Sequence, residues 1–334
     1  MRNRRRSLSL VAGLASTALV LAACGDDNGD ETTTDDAGDT GEETSEDEEA
    51  DEGEGEGEFD GSALEGETID IAVFEGWDEG IAASFLMGNV FESEGATVNY
   101  QFADVAPVFT GVADEQFDVA FDLWLPSTHS DYWDEHGDNL EDLVTWYDEA
   151  PLTIAVNEDA PISSLDELAE NADVFGNRVV GIEPGSGLNR ITREEVFPGY
   201  GLEEAGMEFV ESSTAGMLGE LQSAIESDED IVVTLWQPHW AYAAFPIRNL
   251  EDPENLLGDP EEIHAFGYAG FSEDMPAAAE LISNFKLTEE QLTDIEDVMV
   301  VQNEASSNEE YAASIQEWLD ANPDFVDQLK AGEL

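Results

Sequence analysis

Val232-Val233-Thr234-Leu235-Trp236-Gln237-Pro238-His239-Trp240 reads as an apolar strand that ends on a tryptophan and is stopped two residues later by a proline. A proline has no N–H to give to a strand ladder, so it marks where the sheet ends and the chain turns away. The same grammar occurs twice upstream, where Thr68 to Phe74 leads into Gly76-Trp77-Asp78 and Phe117 to Leu123 leads into Trp124-Leu125-Pro126. Between these strands lie stretches with helical spacing of apolar residues, Gly80 to Ser93, Val105 to Ala113 and Ala215 to Ser227. Strand and helix in alternation predict an α/β fold.

The remaining elements fit that class. Thr97 to Gln101, Leu152 to Val156, Val179 to Ile182 and Met207 to Val210 are short strand candidates. Ser164 to Asn171 and Ile191 to Val196 read as helices, and the tail from Met275 to Leu334 reads as mostly helical, with starts at Leu287-Thr288-Glu289-Glu290 and Ser306-Ser307-Asn308-Glu309. No internal repeat stands out.

The N-terminus sets the compartment. Arg2, Arg4, Arg5 and Arg6 precede an apolar run from Leu8 to Ala23 that ends on Cys24, a secretory-signal pattern too short for a membrane span. Leu21-Ala22-Ala23-Cys24 resembles the lipobox of bacterial lipoproteins, which implies cleavage before Cys24 and lipidation of that residue; the alternative is an uncleaved anchor helix. Cys24 is the only cysteine, so no disulfide and no catalytic thiol is expected. From Gly25 to Asp60, 19 of 36 residues are Asp or Glu and none is basic, which predicts a disordered, self-repelling acidic linker over 25–60.

Residues 61–334 hold 61 acids against six bases, a net charge near −55. Such a surface repels phosphate backbones and anionic lipid heads, so nucleic-acid binding and peripheral membrane binding are excluded. At about 1 M salt the Debye length falls to about 3 Å and the self-repulsion fades, so the composition suits a halophilic source.

The three strand-end tryptophans carry the chemistry. Ligands of open α/β sheets bind at strand C-termini, and large aromatics at such turns contribute little to packing. Trp77, Trp124 and Trp236 together suit a quaternary ammonium, whose diffuse charge donates no hydrogen bond and is held by aromatic quadrupoles. Trp133, Trp146, Trp240, Trp318 and Tyr132 read mainly as packing or surface residues. For an anion, Glu183-Pro184-Gly185-Ser186-Gly187-Leu188-Asn189 leaves a strand and opens a helix, so the amides of Gly187 and Leu188 can face a carboxylate with the helix dipole behind them. Ser186 and His239 are further candidates. The four histidines lack His-x-x-x-His spacing and there is no Gly-x-Ser-x-Gly elbow, which argues against a secreted, lipid-anchored hydrolase and against a metal site. A purely structural lipoprotein would leave the three tryptophan turns unexplained. No cofactor is expected.

These strings, Gly76-Trp77-Asp78, Asp122 to His129, Val180 to Leu188, Met217 to Ala224, Val232 to Trp240 and Leu250 to Pro253, resemble the glycine betaine/proline betaine-binding proteins of ABC importers, in the same order and over roughly Ile69 to Asp320. The resemblance implies a two-lobed periplasmic-binding-protein fold, type II-like, that closes on ligand at a hinge. One lobe would comprise 66–150 with 248–334 and the other 151–247, after a signal over 1–24 and the linker over 25–60. It further implies that Trp77 and Trp124 face Trp236 across the cleft, and that His129 and the Gly187 and Leu188 amides hold the ligand carboxylate. A monomer at the outer face of the cytoplasmic membrane, handing its solute to a permease and an ATPase on separate chains, completes the expectation. Choline, carnitine and an ectoine-type solute remain alternative ligands.

Overall fold

A computed structural model describes residues 64–334; the signal segment, Cys24 and the acidic linker lie outside the described residues. Two five-stranded mixed sheets organise the chain. The strands are β1 (Thr68–Phe74), β2 (Thr97–Ala103), β3 (Val119–Leu125), β4 (Leu140–Ala150), β5 (Leu152–Asn157), β6 (Arg178–Val180), β7 (Glu208–Val210), β8 (Val232–Trp236), β9 (Ile247–Asn249) and β10 (Glu261–Tyr268).

The first sheet has the order β2-β1-β3-β10-β4 and the second β7-β6-β8-β5-β9. Each is built alike. Three parallel strands, β2-β1-β3 or β7-β6-β8, are extended by two antiparallel ones, β10-β4 or β5-β9. Only Pro151 separates β4 in the first sheet from β5 in the second, and the chain returns to the first sheet between β9 and β10. The chain thus crosses between the two sheets twice.

Local chemistry explains the elements. In β1 and β3 nearly every side chain is buried, as befits parallel strands covered on both faces. The helix Asp78–Ser93 opens with two acidic residues, Asp78 and Glu79, in its first turn. Ser213 caps Thr214–Glu226 by accepting from the Gly216 N–H, and Thr288 with Gln291 forms a capping box before Glu289–Glu296. Phe74, Phe85, Phe91, Phe109, Phe121 and Phe266 are fully buried around the first sheet.

The structure differs from the sequence expectation in several places. β4 and β10 emerge from stretches not read as strands, because Glu141, Asp142, Asp148 and Glu149 in one and Glu261, Glu262 and His264 in the other interrupt the apolar pattern. Their antiparallel pairing with each other supplies the context that the pattern lacks. Instead of one helix, residues 164–171 form two tight 3₁₀ turns, Leu165–Glu167 and Ala169–Asn171, opened by a Ser164–Glu167 capping box. The helix read from Ile191 begins earlier, at Gly187, and widens into a π-helical turn over Thr192–Val196. Trp146 and Trp318 are buried in the core, Trp146 donating to Phe121 O at 2.8 Å.

Candidate functional site

Four parallel strands end at one place. Trp77 follows β1 and occupies the N-cap position of Asp78–Ser93; Trp124 is the penultimate residue of β3; Gly187 lies beyond β6; Trp236 is the last residue of β8. The strand ends of both sheets thus converge, the location at which open α/β sheets bind ligands.

A cavity of about 290 Å³ empty volume lies there, lined by Trp77, Trp124, His129, Ser186, Gly187, Leu188 and Trp236. Glu79, Thr128, Leu152 and Ile182 complete the lining. His239 does not line it. That residue is buried against Trp236, ring centroids 4.8 Å apart, and its Nδ1 accepts from the Ala241 N–H at 3.0 Å.

The three tryptophans are almost wholly buried, because the walls of the two sheets meet around them. Trp77 donates its indole N–H to Glu183 of the second sheet's side. Trp240 donates to Asp78 at 2.7 Å, Tyr132 donates to Gly185 O at 2.8 Å, and Arg190 donates to Ser127 O at 2.8 Å while pairing with Asp131 at 3.0 Å. Gly187 approaches the opposite wall closely: a Cβ there would fall 1.9 Å from the backbone oxygen of Thr128. Only glycine permits this approach.

The polar end of the cavity is built with care. His129 is fully buried; its Nδ1 accepts from the Trp124 backbone N–H at 3.0 Å, and its Nε2 has no protein partner. Burial, reinforced by the nearby Arg190 guanidinium, pushes the imidazole down to about 3, so the ring is neutral. With Nδ1 accepting, the proton must be on Nε2, which leaves a free donor. Opposite it, Gly187 and Leu188 begin a helix, where amide N–H groups have no carbonyl of an earlier turn to bond. Ser186 caps that start by accepting from the Asn189 N–H at 3.4 Å, and the Asn189 side chain ties it to Ile182 N and O and to Glu183 O.

Several supporting residues escaped the sequence reading. Glu261 of β10 is buried and accepts the N–H groups of Ser127 and Thr128 at 2.7 and 3.0 Å, holding the loop that carries His129. Asp122 accepts the Trp124 indole N–H at 2.7 Å. Glu79 lies beside the Trp236 indole nitrogen without a well-formed hydrogen bond to it. In so acidic a chain no single carboxyl stands out, so only its placement reveals the role.

The acids behind the aromatic wall have displaced ionisation. Burial raises Asp122 to about 8 against the opposing Trp124 bond, and raises Asp78 to about 6 against the Trp240 bond. Glu79 is raised by burial and by the neighbouring Asp122 and Glu296, and Glu296 by burial and Asp78. Among the described residues no cluster of His, Cys, Asp and Glu is arranged to hold a metal ion, and no helix is long and apolar enough to cross a membrane.

A two-sheet α/β protein with an aromatic cavity between strand C-termini has the build of a solute-binding protein. Residues 67–321 match the substrate-binding domain of ABC-type glycine betaine transport systems, and the chain belongs to that family. It is 34% identical over 167 residues to the glycine betaine/carnitine transport binding protein GbuC of Listeria monocytogenes, covering 50% of this chain and 52% of the relative. The chain therefore matches about half the length of that curated relative. Among solved structures, the glycine betaine/L-proline-binding protein ProX of Borrelia burgdorferi superposes with a TM-score of 0.70 at 27% identity, covering 80% of this chain and 100% of the other. Lactococcal OpuAC, in a closed conformation complexed with glycine betaine, gives 0.71 at 24% identity over 79% and 99%. The fold is thus of the periplasmic-binding-protein type seen in those proteins, and members of the family bind substrates for transport rather than transform them.

Proposed function

We propose that this chain captures glycine betaine or proline betaine in the cavity and delivers it to an ABC permease for osmoprotectant uptake. One observation carries the reading: three indoles from two sheets, a free imidazole N–H and the start of a helix all border a single small cavity. The rings of Trp77, Trp124 and Trp236 take the methylated nitrogen, while His129 Nε2 and the Gly187 and Leu188 amides take the carboxylate.

Magnitudes agree with this division. Each desolvated cation–π contact contributes roughly 0.5–2 kcal/mol and each charge-assisted hydrogen bond roughly 1.5–3 kcal/mol. After the costs of association and closure, about −5 to −8 kcal/mol remains, a sub-millimolar to micromolar affinity. Choline offers a hydroxyl in place of a carboxylate, so donors suited to an anion would be only partly matched, and poorly matched polar groups are how sites reject analogues. One observation favours choline as the second reading: the unpartnered Glu79 oxygen on the cavity wall would suit a hydroxyl-bearing cation.

We further propose two lobes, read from the sequence as 66–150 with 248–334 and 151–247, with Arg248 and Asn249 of β9 going instead with the second sheet; the lobes open for entry and close on the solute, since only the closed form touches it from both sides. We further propose a monomer, exported and anchored through lipid on Cys24 to the outer face of the cytoplasmic membrane of a halophile, its acidic surface screened by external salt. Isothermal titration in high salt with glycine betaine, proline betaine, choline, carnitine and ectoine tests the ligand assignment. Tightest binding of a betaine supports it; tightest binding of choline or ectoine overturns it.

A further inference from the structure

Glu183 stands outside the cavity yet touches its wall. Trp77 stacks on Phe74 at 5.0 Å and on His129 at 5.4 Å, both belonging to the first sheet's side, while its indole N–H donates to Glu183 Oε1, in the loop after β6 of the second sheet. The other oxygen of Glu183 accepts two bonds from Thr214, from the backbone N–H at 3.0 Å and from the hydroxyl at 2.9 Å. Thr214 is the first residue of the helix Thr214–Glu226, whose positive end favours an anion. Three donors surround this carboxyl: the Trp77 indole N–H and the Thr214 backbone N–H and hydroxyl. The corner is closely packed, since a Cβ on Gly76 would meet the Thr214 side chain at 3.4 Å.

Two consequences follow from an indole N–H bonded to a carboxylate of the opposite wall. The bond draws electron density toward the ring and makes its face more attractive to a cation. It also exists only when the walls meet, so the orientation of the ring is tied to closure.

We infer that Glu183 is a positioning residue for the ligand: it acts on the bound ammonium through the Trp77 N–H, relaying the helix start at Thr214 to the aromatic cage. This rests on the betaine-binding reading above. Glu183→Gln and Trp77→Phe, singly and together, form the test, with glycine betaine titrated calorimetrically into each variant and thermal unfolding confirming the fold. Phenylalanine keeps an aromatic face but has no N–H. Glu183→Gln is expected to weaken glycine betaine about tenfold in the wild-type background and by less than about twofold in the Trp77→Phe background. Should Glu183→Gln fail to fold, Thr214→Val, which removes one of the bonds orienting Glu183, takes its place with the same expected background dependence. As a second probe, 3,3-dimethylbutanoate replaces the ammonium with an uncharged tert-butyl group and should lose less on Glu183→Gln than glycine betaine does. Equal penalties in both backgrounds would overturn the inference while leaving betaine binding intact. Wild-type protein that binds neither glycine betaine nor proline betaine would overturn the functional reading, and this inference with it.

Discussion

The Trp124 backbone N–H donates to His129 Nδ1 at 3.0 Å, so a cage residue fixes the tautomer of the histidine beside it and turns Nε2 into the free donor. Because burial and Arg190 push His129 down to about 3, its charge does not change across neutral pH. Betaine affinity is therefore expected to stay flat between about pH 5 and pH 8 as far as this group is concerned. His129→Ala should weaken glycine betaine roughly 10- to 100-fold, the worth of one charge-assisted bond. Titration calorimetry at several pH values checks both statements.

The cage makes a graded prediction. Trp77→Ala, Trp124→Ala and Trp236→Ala should each raise the dissociation constant at least about tenfold, since each removes a cation–π contact of roughly 0.5–2 kcal/mol together with apolar contact to the methyl groups. His239→Ala should change affinity less than any of them, because His239 stands behind Trp236 and not on the cavity wall.

Gly187 separates closure from folding. The added methyl of Gly187→Ala would meet the Thr128 carbonyl of the opposite wall, a clash that the proposed opening of the lobes would relieve. Overpacking of this kind costs about 1–3 kcal/mol, or roughly a 5- to 150-fold loss of affinity, while unliganded thermal stability should hardly change. Small-angle scattering with and without glycine betaine would show whether the variant still compacts.

Asp122 gives a pH dependence with a definite sign. Burial pushes this carboxyl from 3.8 up to about 8, so between those values the folded chain keeps a proton that the unfolded chain has released. Stability from this group must fall as pH rises through that window. Asp122→Asn cannot ionise, so its melting temperature should gain on wild type from about pH 4 to about pH 8, by several degrees, and run parallel above. His129 and His239, both pushed down to about 3 by burial, act oppositely and lower stability as pH falls below 6.5. Both proteins share that effect, so it leaves the difference untouched. Melting curves in roughly 2 M salt, where surface carboxylates are screened, isolate the difference.

Much of the arrangement was legible in the sequence because strand ends were punctuated. Pro238 marks the end of β8, and Gly76 and Pro126 mark the turns after β1 and β3, so the sequence alone locates the tryptophans at strand C-termini. β4 and β10 were hidden because their acids break the alternation, and burial of Glu261 against the Ser127 and Thr128 amides is a tertiary fact with no local signature. Glu183 and Asp122 were hidden for a related reason: among 80 acidic residues, chemistry alone cannot single out the ones that grip an indole.

The position of the methylated cation decides the ligand assignment. Co-crystallisation with arsenobetaine, in which arsenic replaces the nitrogen of glycine betaine, gives an anomalous signal at that atom. One strong peak is expected, enclosed by the rings of Trp77, Trp124 and Trp236, with the carboxylate directed at His129 Nε2 and the Gly187 and Leu188 amides. A peak elsewhere in the chain, with those rings in contact only with protein, would contradict it.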